Sequence, residues 1–165
     1  MELRRVDPTQ PHGPLRRAWH RVARTRFGRW YGIHVAAPVD SALLRRTGGR
    51  VRLVGALPTA TLATTGAKSG QRRENPVVYF HDGDDVVLVA SSFGRDKHPG
   101  WYHNLRAHPE ATLNDQPFLA REVTDPDEYE RLFGLAVRVY AGYADYRERT
   151  AAIGRRIPVL RLTPR

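Results

Sequence analysis

Residues 75–91 read NPVVYFHDGDDVVLVAS, two β-branched and aromatic runs on either side of Asp82-Gly83. Runs of this composition, bounded by turn residues, form strands. Gly tolerates the positive φ that a primed two-residue turn demands, so residues 75–81 and 85–91 are expected to pair as an antiparallel hairpin. Working outward, the same texture recurs at 59–65 (TATLATT), 111–115 (ATLND), 117–124 (PFLAREVT) and Ile157 to Leu162. Five or six short, mostly antiparallel strands with helices at the periphery predict an α+β fold, a small barrel or half-open sheet. The strands do not alternate with long helices as a doubly wound fold would require.

The helices carry their own signals. Pro99 to His108 (PGWYHNLRAH) predicts one short helix crossing between strands. Asp125-Pro126-Asp127-Glu128 supplies an N-cap Asp, Pro at the first helical position and Glu to close a capping box, predicting a helix to about Ala141. Gly142 then breaks or kinks it before a second helical stretch. Near the N-terminus, Leu15, Ala18, Trp19, Val22, Ala23 and Trp30 recur at helical spacing opposite Arg16, Arg17, Arg21 and Arg24. A second short helix is expected from Val39 to Arg46.

At 165 residues the chain is the size of one domain, and its 41% hydrophobic and 27% charged residues match an ordinary globular mix, which excludes wholesale disorder and fibrous repeats. The absence of cysteine removes disulfides, thiolate nucleophiles and Cys-ligated metal sites. No apolar run reaches the length of a membrane span or signal peptide, so a cytoplasmic protein is expected. The charge divides the chain. Residues 1–57 hold 12 Arg against Glu2, Asp7 and Asp40, a net of +9 out of +10 overall. The expected organisation is a mobile tail over 1–14, broken by Pro8, Pro11 and Pro14, a basic helical segment over 15–50 and a folded domain over 51–165.

Three stretches carry chemistry. Thr64 to Pro76 (TTGAKSGQRRENP) joins two strands; its glycines expose backbone N–H groups while Lys68, Arg72 and Arg73 offer cations, which reads as a phosphate cradle or as a solvated basic loop. Walker and Rossmann spacings are absent. The chain's only two lysines among 25 Arg, Lys68 and Lys97, fall in this loop and in the one after the third strand. Ala90 to Leu105 (ASSFGRDKHPGWYHNL) follows a strand end: Trp101 can edge a planar ring and Asn104, one turn later, can hydrogen-bond a carbonyl or tail oxygen, or Trp101 and Leu105 simply anchor a helix. Tyr140, Tyr143 and Tyr146 share one helical face, either as cover over the core or as a pocket wall with a proton donor. The seven His are scattered with no paired ligand spacing, and no metal is expected.

Taken in order, TTGAKSGQRRENP, VASSFGRDKHPGWYHNL, the Tyr140-x-x-Tyr143-x-x-Tyr146 stretch and the closing RRIPVLRL resemble the deazaflavin-dependent nitroreductase family, over roughly residues 39–163. The resemblance implies a split β-barrel and coenzyme F420. It implies that Lys68 and Arg73 grip the phosphate and glutamyl tail, with Arg72 beside them, that Ser69 and Gly70 shape the loop, and that Asn75 and Pro76 approach the ring. Ala90 and Ser91 at the strand end, with Trp101 and Asn104, match cofactor-contacting positions, and Ser92 stands in the same stretch where many members have Lys. Ser91, Tyr140, Tyr143 and Tyr146 match substrate-pocket positions. Ala67 stands where a basic residue is common, and Gly100 where a larger apolar residue is often found. The implied reaction is hydride transfer from reduced F420, lying between barrel and C-terminal helix, to a quinone, nitroaromatic or activated C=C acceptor. Peripheral contact of residues 15–31 with an anionic membrane is a further expectation, because cations favour anionic headgroups and Trp favours the interface. A homodimer is left open by fold analogy, and no nucleic-acid partner is expected. The alternatives are the same barrel binding FMN, and a basic membrane- or nucleic-acid-binding module.

Overall fold

Alternation along short strands sends every second side chain to each face of a sheet, and here both faces are apolar. On the third strand Val86, Leu88 and, just past its end, Ala90 point one way, while Val87 and Val89 point the other. One face must therefore line an interior and the other must be covered. The computed structural model describes residues 3–9 and 57–165, and it meets both demands. Strands β1 (Thr59–Thr65), β2 (Arg72–Asp82), β3 (Asp85–Val89), β4 (Glu110–Leu113), β5 (Gln116–Glu122) and β6 (Val159–Pro164) form a closed antiparallel barrel in the order β1-β2-β3-β6-β5-β4. The half-open alternative is excluded by the pairing of β4 with β1, Leu62 opposite Leu113. Closure leaves no unpaired edge.

The interior is filled by Leu62, Val77, Tyr79, Val86, Leu88, Leu113, Phe118, Leu160 and Leu162. Helix α1 (Gly100–Ala107) joins this cluster through Trp101, Tyr102 and Leu105. Helices α2 (Pro126–Val139) and α3 (Gly142–Ala151) cover the outer face of β3 and β6. Tyr129, Leu132, Phe133, Ala136 and Val139 recur at helical spacing along α2 and bury against Phe80, Val87, Val89 and Val159.

Several boundaries differ from expectation for local reasons. The hairpin turn is Gly83-Asp84, with Gly83 at φ 67°, the first-position glycine of a II′ turn. Residues 111–115 are not all strand, because Asn114 and Asp115 take φ 47° and 70° and form the two-residue turn between β4 and β5. Strand β2 begins at Arg72 and not at 75, since its first residues pair with Thr64 and Thr65 of β1. Asp125 caps α2 as expected, accepting from the Glu128 N–H at 2.8 Å. The capping box does not close: the Glu128 carboxylate accepts from Arg161 Nε at 2.9 Å.

That Arg161 organises the one ionic knot of this face among the described residues. It lies on the outer side of β6, 9% exposed, and reaches Asp82 at 2.6 Å, Asp85 at 3.0 Å and Glu128 at 2.8 Å. Arg131 of α2 adds a bidentate pair to Asp82 at 2.8 and 2.7 Å. The hairpin, the last strand and α2 are thus tied by opposite charges where desolvation makes an unpaired one costly.

Residues 3–9 are docked, in contrast to the mobile tail expected over 1–14. The His81 N–H donates to the Val6 carbonyl at 2.8 Å and the Val6 N–H donates to His81 Nδ1 at 3.1 Å. The Tyr79 hydroxyl donates to the Arg4 carbonyl at 2.9 Å, and Leu3 and Val6 pack on the core. The basic helix expected over 15–50, the helix over 39–46 and the membrane contact at 15–31 lie outside the described residues. Among the described residues no helix is long and apolar enough to cross a membrane.

The guanidinium groups of Arg131 and Arg161 hold the Asp82 carboxyl at about 2 against an ordinary 3.8. A depressed carboxylate stabilises the fold above its unfolded pKa and loses that contribution as pH falls from 3.8 through about 2. Asp82→Asn is expected to cost about 2 kcal/mol at neutral pH, with the difference from the parent vanishing by about pH 2, as read by denaturant unfolding across pH.

Candidate functional site

The connection between β1 and β2 is shorter than the sequence implied, running from Gly66 to Gln71, and it folds back on itself. The Gly66 N–H donates to the Gln71 carbonyl and the Gly70 N–H to the Gly66 carbonyl, both at 2.8 Å. A Cβ on Gly66 would stand 2.7 Å from Ser69 Oγ and 3.1 Å from the Gln71 carbonyl oxygen, so glycine is required there. Across the rim, Asn104 of α1 accepts from the Ala67 N–H through Oδ1 at 3.0 Å and donates through Nδ2 to Thr64 Oγ1 at 3.0 Å. Asn104, expected to contact a ligand, here staples the loop to the barrel. These bonds occupy most of the backbone N–H groups expected to cradle an anion. Among the described residues, the N–H groups of Lys68 and Ser69 are left without a backbone partner.

Between this loop and α1 opens a groove of about 510 Å³ lined by Gly66, Ala67, Lys68, Ser69, Arg73, Glu74, Asn75, Gly100, Trp101, His103 and Asn104. The extension of β2 decides its charge. Because Arg72 and Arg73 are strand residues, alternation sends them to opposite faces. Arg73 lines the groove, its guanidinium donating to the Gln71 side-chain amide oxygen at 3.1 Å. Arg72 turns away and pairs with Glu74 at 3.1 Å and Asp115 at 3.6 Å. Lys68 has no ion-pair partner among the described residues. Two cations without an ion-pair partner among the described residues thus line one groove together with Glu74, which Arg72 engages, and Trp101, 9% exposed, belongs both to that lining and to the core cluster. Its core packing fits the reading of Trp101 as an anchor of α1.

The remaining candidates are placed elsewhere. Gly70 borders the loop at φ 64°, outside the lining, and Pro76 is exposed on β2 opposite Thr61. The Ala90 side chain is fully buried inside the barrel, a correction to its reading as a contact position. Ser91 and Ser92 begin the tight turn after β3, and Gly94 of that turn abuts Tyr146, whose Cα would lie 3.2 Å from a Cβ there. The three tyrosines do cluster, with ring centroids 5.4 to 6.3 Å apart and the Tyr140 and Tyr146 hydroxyls 3.2 Å from one another. Tyr143 is buried with Phe133 in the helix core, and burial pushes its phenol well above the usual range, as it does for Tyr146. None of the three lines the cationic groove. The groove lies between the loop and α1, and none of its lining belongs to α2 or α3. Glu74 and His103 of the groove, and Arg155, which holds the turn at Ser91, were missed in the sequence; Glu74 and Arg155 sit beside other charged residues and His103 among scattered histidines, with nothing local to single them out.

The fold is a small α+β split barrel, closed and antiparallel, with a groove at one rim that brings two cations beside an indole. Residues 38–164 match the F420H(2)-dependent quinone reductase family, and the chain belongs to it. The match begins ahead of the domain start expected at 51. An F420H(2)-dependent quinone reductase of Mycobacterium tuberculosis is 40% identical over 151 residues, spanning 84% of this chain and 99% of its own. A solved F420-H2 dependent reductase, FDR-A, is 36% identical, covers 64% of this chain and 93% of its own, and superposes with a TM-score of 0.55. A second solved chain, described as a domain-swapped dimer, is 32% identical over 76% of this chain and 98% of its own, with a TM-score of 0.57. The protein is an F420-dependent reductase, and coenzyme F420 is its cofactor. The FMN and non-enzymatic alternatives are set aside by this membership. The donor set fits: unpaired ammonium and guanidinium groups suit a phosphate and carboxylate tail, and the Trp101 edge suits a flat ring.

Asn104→Ala is expected to destabilise the chain by about 1 to 2 kcal/mol, the range for a hydrogen-bonding side chain lost between partly buried groups. Amide exchange at Ala67 should accelerate well beyond that at strand positions, which hydrogen-exchange mass spectrometry reads directly.

Proposed function

We propose that this chain reduces a quinone, with Lys68 and Arg73 holding the anionic tail of the cofactor and Trp101 edging its ring. The observation that supports this reading most is the pair of groove cations without acidic partners, while the neighbouring Arg72 is neutralised. When bound, reduced F420 supplies a hydride, and the quinone leaves as a hydroquinone once a proton is added. Ser69 shapes the loop and Asn75 extends the groove along β2. Asn104 keeps the loop in register and so acts on the ligand through Ala67 and its neighbours.

On the acceptor side, Ser91 and the hydroxyl pair of Tyr140 and Tyr146 face the reaction, and Tyr143 supports them from the core. Tyr146 stays protonated at all ordinary pH because burial and its Tyr140 neighbour disfavour the phenolate. It donates to or accepts from Tyr140, whose half-buried ring sits at the junction of α2 and α3. In this arrangement Tyr140 would hand its hydroxyl proton to the acceptor oxygen and be reprotonated from solvent, while Tyr146, held as the phenol, orients it. Nitroaromatics and activated C=C acceptors share the electron-poor character that hydride transfer needs, and a quinone is preferred because the matched family and its named relatives are quinone reductases.

The test is anaerobic oxidation of reduced F420 with menadione, followed by the return of the oxidised cofactor's absorbance. Turnover above the uncatalysed rate is expected. Tyr140→Phe should lower it by about tenfold or more, and Tyr143→Phe by less than about twofold. Absence of quinone-dependent oxidation, or equal losses in the two variants, contradicts the assignment.

A further inference from the structure

One buried cation is unexplained by the groove. Arg155, between α3 and β6, is 9% exposed, and all five of its N–H groups are used with no carboxylate in contact among the described residues, Asp96 acting on it only through its charge. Nη2 donates to the Ala90 carbonyl at 2.9 Å and to Ser91 at 3.2 Å, and Nη1 donates to the Arg95 carbonyl at 2.8 Å and to Ser91 at 3.2 Å. Nε donates to His98 Nδ1 at 3.2 Å. These acceptors bracket a strained stretch: Ser92 and Phe93 take φ 51° and 57°, consecutive left-handed residues with Cβ atoms. Such a backbone persists only where its surroundings over-determine it. The same turn places Ser91 at the strand end and packs Gly94 against Tyr146.

We propose that Arg155 is a positioning residue that fixes the Ser91–Arg95 turn for the acceptor side of the site, and that His98 makes this hold sensitive to protons. The proposal rests on the acceptor reading given above. For His98 Nδ1 to accept, the imidazole must be neutral with its proton on Nε2. A second proton on Nδ1 would set N–H against N–H and put a cation beside a buried guanidinium. Burial and Arg155 hold His98 below the ordinary imidazole range, so the bond is intact at neutral pH. The other groups facing His98 are Tyr102, His103 and Arg106 of α1 and Glu122 of β5, the last opposing the effect and already accepting from the Tyr102 hydroxyl at 2.8 Å. Protons reach it through an open cleft of about 360 Å³ bounded by His98, Glu122, Arg155 and Arg156. As pH falls, His98 charges, its bond to Arg155 is lost, and the turn loosens.

The test compares the parent chain with His98→Asn, whose side-chain oxygen accepts from Arg155 at every pH, and uses Arg155→Lys as a second variant. Hydrogen exchange of the Ser91–Arg95 backbone, corrected for intrinsic rates, needs no ligand. Between about pH 8 and about pH 5 the parent should lose about tenfold in protection and His98→Asn less than about twofold. Menadione turnover, scaled to each variant's value at about pH 8, should show an acid fall in the parent that His98→Asn flattens. Arg155→Lys, folded by circular dichroism, should show low protection at both pH values. Equal acid dependence in parent and His98→Asn, or unchanged protection in Arg155→Lys, overturns the proposal. Exchange that follows the expected pattern in a chain that does not reduce menadione supports the hold and contradicts the acceptor reading instead.

Discussion

Closure of the barrel by its last strand is the constraint on which the other features depend. Strand β6 lies between β3 and β5, so residues near the C-terminus complete a sheet begun at Thr59. Until β6 is seated, β3 and β5 are open edges. Once it is seated, Arg161 is carried onto the outer face at the hairpin end and draws Asp82, Asp85 and Glu128 around it, while Arg155, a few residues earlier, is carried to the opposite end of β3. Two buried arginines on one segment thus secure both ends of the strand that leads into the site. They do so by different chemistry, carboxylates at one end and carbonyl dipoles at the other.

Rigid closure also explains how so few groups can make a binding groove. The rim formed by β1, β2 and α1 is fixed by strand pairing, and one Asn104 side chain ties the short loop to it. Pairing of Thr64 and Thr65 with Arg73 and Arg72 then sets which cation faces the groove. A loop with the same composition but no strand character would present both arginines to solvent alike. The selectivity between neighbouring cations is therefore a property of register, and the groove's charge follows from it, with Glu74 of the lining engaged by Arg72 from beyond the groove.

Much of this was legible in the residues. The glycine at 83, the Asp125 cap and the periodic apolar runs are local signals, and they placed the strands, α1 and α2 within a few residues, the turn itself being Gly83-Asp84. The ordered motifs located the loop carrying Lys68 and the helix carrying Trp101. What could not be read depended on pairing partners. The Asn114-Asp115 turn needs two non-glycine residues at positive φ, a conformation whose sequence signal is weak. The diversion of Glu128 from its cap to Arg161, the burial of Tyr143 and Ala90, and the separation of Arg72 from Arg73 all follow from contacts made across the fold. Docking of residues 3–9 was hidden for the same reason, since Pro8 marks a break in local structure and says nothing of the backbone bonds that Val6 makes with His81.

The most direct test of the account is the affinity of the intact chain for F420, followed by tryptophan fluorescence, in the parent and in Lys68→Ala, Arg73→Ala and Arg72→Ala. Loss of an uncompensated cation from the groove should weaken binding by about tenfold or more, whereas removal of Arg72, already paired at the surface, should change it by less than about twofold. If Arg72→Ala weakens binding as much as Arg73→Ala, or if Lys68→Ala and Arg73→Ala bind as the parent does, the groove between the loop and α1 is not where the cofactor's anionic tail is held.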